Sequence, residues 1–134
     1  NQFDVVLTAK LSDKVNVAYN GTLNKSKTQT AEMYADAKAW GGSAFYINYD
    51  PLEKFGITLR SEIFNDKNQL AALGSAAYGS SIFANTISGN IRLGSFTIIP
   101  ELRLESANKN IFYAKDGSEK GSASNFLLAA YYKF

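Results

Sequence analysis

Seven times along the chain, apolar and polar residues alternate with a period of two, and no other feature limits the possible folds as strongly. Phe3, Val5, Leu7, Ala9 and Leu11 alternate with Asp4, Val6, Thr8, Lys10 and Ser12. Val15, Val17, Tyr19, Gly21 and Leu23 alternate with Asn16, Ala18, Asn20, Thr22 and Asn24. Later stretches repeat the pattern through Phe45, Ile47 and Tyr49, through Phe55, Ile57, Leu59 and Ile63, and through Phe83, Ile87, Ile91 and Leu93. The last two carry Phe96, Ile98, Leu102 and Leu104, then Phe126, Leu128, Ala130, Tyr132 and Phe134. Successive side chains of a strand point to opposite faces, so each stretch presents one apolar and one polar face. The expectation is an all-β fold, an antiparallel up-and-down meander of about seven strands. Residues Thr30–Lys38 contain good helix formers. Their odd positions (Ala31, Met33, Ala35, Ala37) are apolar, however, and run in phase into Trp40. That segment therefore reads as an extension of the third strand or a short loop element.

Composition removes several classes of chemistry. With 134 residues, 46% of them apolar, the chain is one modest, ordered unit. No apolar run approaches the roughly 18–20 residues of a membrane-spanning helix. Without Cys or His there is no thiol nucleophile, disulfide, His-dependent triad or Cys/His metal site. A net charge of +2 with no basic cluster argues against nucleic acid. No cofactor is expected, and Gly74–Ser81 lacks the Lys-Ser/Thr of a phosphate loop.

Connections differ at the two ends of the strands. Short ones fall at Ser12–Lys14, Asp50–Lys54 and Gly94–Ser95; long ones run from about Lys25 to Ala39, Asn65 to Ser81 and Ser106 to Ser124. Short turns on one side and long loops on the other describe an outer-membrane barrel, with turns in the periplasm and loops outside the cell. Alternation alone also fits a soluble, lipocalin-like barrel with its apolar face inside. Aromatic placement favours the inverted assignment. Tyr49, Phe55, Phe96, Tyr132 and Phe134 gather at the short-turn end of the apolar face, and Phe3, Phe83 and Phe126 at the other, as aromatic belts at two membrane interfaces would. The apolar face then meets outer-membrane lipid. Pro100, mid-strand on that face, is awkward in either barrel.

Two segments carry a family resemblance. The run Asn125-Phe126-Leu127-Leu128-Ala129-Ala130-Tyr131-Tyr132-Lys133-Phe134 resembles the C-terminal assembly signal of Gram-negative outer-membrane proteins. In that pattern a terminal Phe follows apolar residues at alternate positions: here Phe134 after Tyr132, Ala130, Leu128 and Phe126, with Ala129 where a glycine often stands. The stretch from Trp40 to Asp66, together with Pro100-Glu101-Leu102-Arg103-Leu104-Glu105-Ser106 and Lys115-Asp116-Gly117, resembles β-barrel porins of the OmpL-like type. The resemblance implies insertion by the barrel-assembly machinery through the last strand, and a passive pore. Counting strands back from a periplasmic C-terminus puts Asn1 on the extracellular side. Single-chain bacterial barrels normally have an even number of strands. Residues 1–134 are therefore expected to be one barrel segment, the C-terminal portion of a larger barrel, completed by further strands or by another chain. A further short strand within Ala71–Ser80 would change that parity.

The polar face supplies the candidate site. Arg60, Glu62, Glu101, Arg103 and Glu105 sit at mid-strand depth, and folding back at Gly94–Ser95 would pair Ser88 with Glu101 and Thr86 with Arg103. Glu101 and Glu105 flank Arg103, which suits neutralising that arginine better than acid/base catalysis. Lys10, Arg92 and Lys133 lie near the short-turn end and read as a basic rim or a solvated ring of cations. No catalytic or metal-binding residue is expected: Asp116-Gly117 reads as a hairpin turn and lacks the carboxylates of a calcium loop. The expected function is a non-enzymatic outer-membrane pore for small hydrophilic solutes. Its alternatives are a non-conducting scaffold in an outer-membrane assembly and a soluble ligand-binding barrel.

Overall fold

A computed structural model describes residues 1–27, 33, 36–70 and 79–134. Its strands are β1 (Gln2–Lys10), β2 (Val15–Ser26), β3 (Lys38–Leu52), β4 (Phe55–Asp66), β5 (Ser80–Leu93) and β6 (Phe96–Ala107). The short β7 (Phe112–Tyr113) and β8 (Glu119–Lys120) follow, and then β9 (Ser122–Tyr132). Seven strands form one antiparallel sheet in the order β1-β2-β3-β4-β5-β6-β9, while β7 and β8 pair as a separate hairpin. Each long strand thus hydrogen-bonds to its sequence neighbours, the meander that the alternation predicts. Among the described residues the outer edges of β1 and β9 have no strand partner, so the wall is an open part of a barrel.

Local chemistry sets the turns. Between β5 and β6 the two-residue turn puts Gly94 at its first central position with φ 65°, the left-handed conformation that a type II′ hairpin turn demands there. Between β1 and β2, the Ser12 hydroxyl accepts the N–H groups of Lys14 and Val15 at 3.2 and 3.1 Å and holds the bend. Between β3 and β4 the register shifts between Tyr49 and Leu52, at Asp50-Pro51, and pairing resumes at Leu52–Phe55. The connection expected over Asp50–Lys54 is therefore shorter, because the strand bulges around Pro51 instead of ending.

At the other end the strands outrun the expected loop boundaries. β2 reaches Ser26, β4 reaches Asp66 and β6 reaches Ala107, continuing backbone pairing into stretches with no apolar contrast. Inside the third long connection, β7 and β8 form a small hairpin whose turn is Asp116-Gly117, with Gly117 at φ 82°. The third strand begins at Lys38. Of the segment expected to extend it, Thr30, Ala31, Glu32, Tyr34 and Ala35 lie outside the described residues, as do Ala71–Tyr78 of the possible extra strand; Ser80 opens β5.

Burial settles which face is outward. The apolar face is the more exposed one: Leu59 is 47% exposed, Ile63 51%, Phe83 50% and Ile87 47%. Among the described residues only Ala44 and Ala84 are buried hydrophobics, and both sit on the polar face. The sheet curls toward that polar face, where one groove of about 620 Å³ is bounded by residues from each of β1 through β6. A water-soluble barrel would show the opposite distribution.

Pairing register adds the strand tilt. Each apolar stretch has nearly the same length, for example Phe3–Leu11 along β1 and one residue past it, Phe55–Ile63 on β4 and Phe126–Phe134 along β9 and two residues past it. Tracing residue partners back from Phe126 gives Leu102, Ile87, Leu59, Ile47, Val17 and finally Ala9. The β1 stretch, however, starts at Phe3, six residues further toward the loop end. Six residues of strand are roughly 20 Å, and the six intervening spacings are roughly 29 Å, so a level apolar band requires strands tilted by about 35°. Its height is then roughly 22 Å. Both values suit transmembrane barrels, whose strands tilt about 35–45° beneath an apolar band about 25 Å tall.

Candidate functional site: the charged wall of the polar face

Register brings the mid-strand charges together in rows. Arg60 pairs with Thr86 and Thr86 with Arg103, giving one row; Glu62, Ala84 and Glu105 form the row above; Thr58, Ser88 and Glu101 form the row below. Ser88–Glu101 and Thr86–Arg103 are the pairs expected from a fold-back at Gly94–Ser95. Two arginines in one row thus face two glutamates in the next.

Arg103 is the centre of that wall. Its Nη2 bonds Glu62 of β4, reaching across the whole of β5, and its Nε donates to Glu105 Oε1 at 3.0 Å. Its Nη1 donates to Thr86 Oγ1 at 3.3 Å. The bridge to Glu62 has room because Ala84, beneath it, is a methyl group with no exposed surface. Arg60 Nε lies 3.0 Å from Glu62 Oε2 but off the hydrogen-bond line, so that contact is charge against charge. Asn125 Nδ2 donates to the remaining Glu105 oxygen at 3.3 Å and ties β9 to the network. These side chains are between one-seventh and one-third exposed, partly screened from solvent.

Glu101 behaves differently from the expectation that it flanks and neutralises Arg103. It accepts a hydrogen bond from Ser88 Oγ at 2.8 Å and has no cationic partner among the described residues. Its place on Arg103 is taken by Glu62, two strands away. Sequence spacing alone could not show this, since it compares only residues of one strand.

The expected basic rim is neutralised at two of its three positions. Arg92 Nη2 contacts Asp50 Oδ1 at 2.6 Å and its Nη1 donates to the Glu53 carbonyl at 3.2 Å. Lys10 pairs with Asp13 at 2.8 Å on the exposed surface. Lys133 donates its backbone N–H to the Ser95 carbonyl at 2.8 Å, closing the β6–β9 edge near the turn. The belt residues Tyr49, Phe55, Phe96 and Tyr132 lie on the opposite, apolar face, with the assembly-signal residues Phe126, Leu128 and Ala130, while Phe134 lies past the end of β9, fully exposed. Among the described residues no three acidic side chains converge where they could hold a metal ion.

One part of the polar face was not anticipated. Toward the loop end Trp40, Phe64 and Ile82 stand among polar neighbours, with the Trp40 and Phe64 ring centroids 5.8 Å apart and their planes tilted by 44°. Phe64 is paired with Gly42, where an added Cβ would come within 3.0 Å of the ring, so the phenyl lies over bare backbone. The alternation signal passed over these residues because they are apolar in the polar phase.

Over residues 1–134 the sequence matches the family model described as "Putative beta-barrel porin-2, OmpL-like". The chain belongs to that family. No curated protein and no solved structure matches it. Membership places this OmpL-like barrel in the bacterial outer membrane, and porin families are typically not enzymatic. The open seven-strand meander is the family's β-barrel in part.

Proposed function

We propose that the polar face lines a water-filled pore through which small hydrophilic solutes diffuse passively. The observation that carries this reading is the inverted burial: charged and amide side chains share the concave face, and aliphatic side chains lie open on the convex one. A wall of this kind stabilises a continuous column of water, and lipid covers the rest. The mid-strand rows would set preference by charge. They hold Arg60 and Arg103 against Glu62, Glu101 and Glu105, one carboxylate in excess. Lys10, Arg92 and Lys133 would stand near the periplasmic mouth, the first two largely cancelled by Asp13 and Asp50. In this reading the short turns are periplasmic, the long loops extracellular, and the last strand engages the assembly machinery.

The test is conductance of the intact protein in planar bilayers. Stepwise currents in potassium chloride are expected; a protein that inserts, verified by protease protection, yet never conducts would support the scaffold reading instead.

A further inference from the structure

On the premise that the polar face is the lumen, we propose that the groove around Trp40 and Phe64 is a binding subsite for an uncharged, polyhydroxylated ring, a hexopyranose unit. The groove holds about 620 Å³, within the roughly 300–1,000 Å³ of small-molecule sites. Its apolar part is a tilted pair of rings with Ile82 beside them, and its rim is polar on both sides. A pyranose has matching chemistry: C–H groups on its faces can lie on an aromatic ring, while hydroxyls around its edge need both donors and acceptors. The rim supplies both. Among the described residues the Trp40 indole N–H has no acceptor, and Asn20 Nδ2 reaches only the Tyr46 hydroxyl at 3.4 Å, leaving its carbonyl oxygen available.

Charge decides against an anionic ligand. Asp4 accepts the Thr22 hydroxyl at 2.5 Å and the Gln2 amide at 2.9 Å, and Glu62 and Arg103 at the groove's lower edge satisfy one another. An anion would have to displace Glu62 from Arg103 and would face the Asp4 carboxylate, which has no cationic partner among the described residues; a cation would find Asp4 already held by two neutral donors. An uncharged solute takes the rim as it stands. The position also fits passage: the groove lies at the loop end, above the charged rows, where a solute entering from the loop side meets it first.

Trp40 is the single tryptophan of residues 1–134, so the emission that Trp40→Phe removes is the signal of this site. Full-length protein folded in detergent micelles would be titrated with maltotriose, and the same sugar added to single channels in a bilayer. A saturable shift in Trp40 emission is expected, with sugar-dependent current block. Phe64→Ala should weaken the emission response, and Trp40→Ala the block, each by about tenfold; Trp40→Phe, which keeps a platform, should retain the block. A linear response, or one that glycerol reproduces at matched concentration, overturns the subsite. So does an unchanged midpoint in Phe64→Ala, a variant read out without removing Trp40. Channels that conduct but ignore maltotriose overturn the subsite and leave the pore standing. A saturable emission shift in protein that never conducts supports the subsite and overturns the pore.

Discussion

At the scale of single residues, a glycine and a glutamate show how the wall is held. Gly56 sits between Asp50 and Arg92, whose ion pair crosses β4 above it; an added Cβ there would lie 2.2 Å from Asp50 Oδ1 and 3.1 Å from Arg92 Nη2. Gly56→Ala should therefore separate the pair and cost about 1 kcal/mol, modest because both side chains are partly exposed. Gly89→Ala is the control, since its Cβ would meet only Pro100 at an ordinary 3.5 Å. Urea unfolding in lipid vesicles should rank the two variants in that order. Glu62 matters more, for it holds both Arg103 and Arg60. Glu62→Gln leaves Arg60 without a carboxylate partner among the described residues and Arg103 with Glu105 alone, and should destabilise by about 1–3 kcal/mol while moving ion preference toward anions. A reversal potential in a salt gradient reads the second effect independently of the first. These residues were legible in sequence as members of one face, because period two assigns faces. Their partners were not. Whether Glu62 or Glu101 reaches Arg103 depends on a side chain crossing β5 over Ala84, which no within-strand spacing encodes.

At the scale of elements, the register makes depth a measurable quantity. Leu59 is the middle of the β4 apolar stretch and Ile63 its loop-side end. Leu59→Arg should cost about 2–4 kcal/mol and Ile63→Arg about 0–1, the depth dependence of a lipid-facing position. Thr58→Arg, on the other face of the same strand, should be far milder than Leu59→Arg, and equal costs at positions 58 and 59 would contradict the assignment of faces. The β7–β8 hairpin offers a second check. In its turn the hydroxyl and N–H of Ser118 donate to Asp116, holding that carboxyl below its ordinary value of 3.8. A depressed value means the hairpin gains from the charged form above pH 3.8 and loses that gain as pH falls through the folded value. The Ser118 amide resonance in micelles should titrate with a midpoint below 3.8; a midpoint at or above it would remove Asp116 from the turn's stability. Strand existence, order and the pairing of Ser88 with Glu101 were readable from alternation and turn chemistry. Strand ends were not, since Asn24-Lys25-Ser26 and Asn65-Asp66 carry no apolar contrast although their backbones remain paired.

For the molecule as a whole, charge balance and band geometry make the remaining predictions. On the proposed reading of the polar face as a pore lining, one carboxylate in excess at mid-strand depth predicts a modest preference for cations. Glu101 is the group responsible, being held by a serine rather than a cation. Glu101→Gln should bring the reversal potential toward zero without changing thermal stability, because the glutamine amide oxygen can still accept from Ser88. An unchanged reversal potential would show that Glu101 does not face the ions. The apolar band was half legible: its aromatic clusters could be placed on one face from sequence, whereas the slope of the band needed the pairing of every strand. That slope also constrains ancestry. It is a staircase of uneven steps: Phe3 pairs with Leu23 and Ile63 with Phe83, whereas Phe83 pairs with Ser106, two residues beyond Leu104, and Leu104 with Ser124, two before Phe126, so a duplicated hairpin inserted into this wall would need a step of its own at the new seam. Growth of such a barrel by copying its own strands must be accompanied by compensating slips in sequence, and strand swaps within it should fail to insert even when every residue type is suitable.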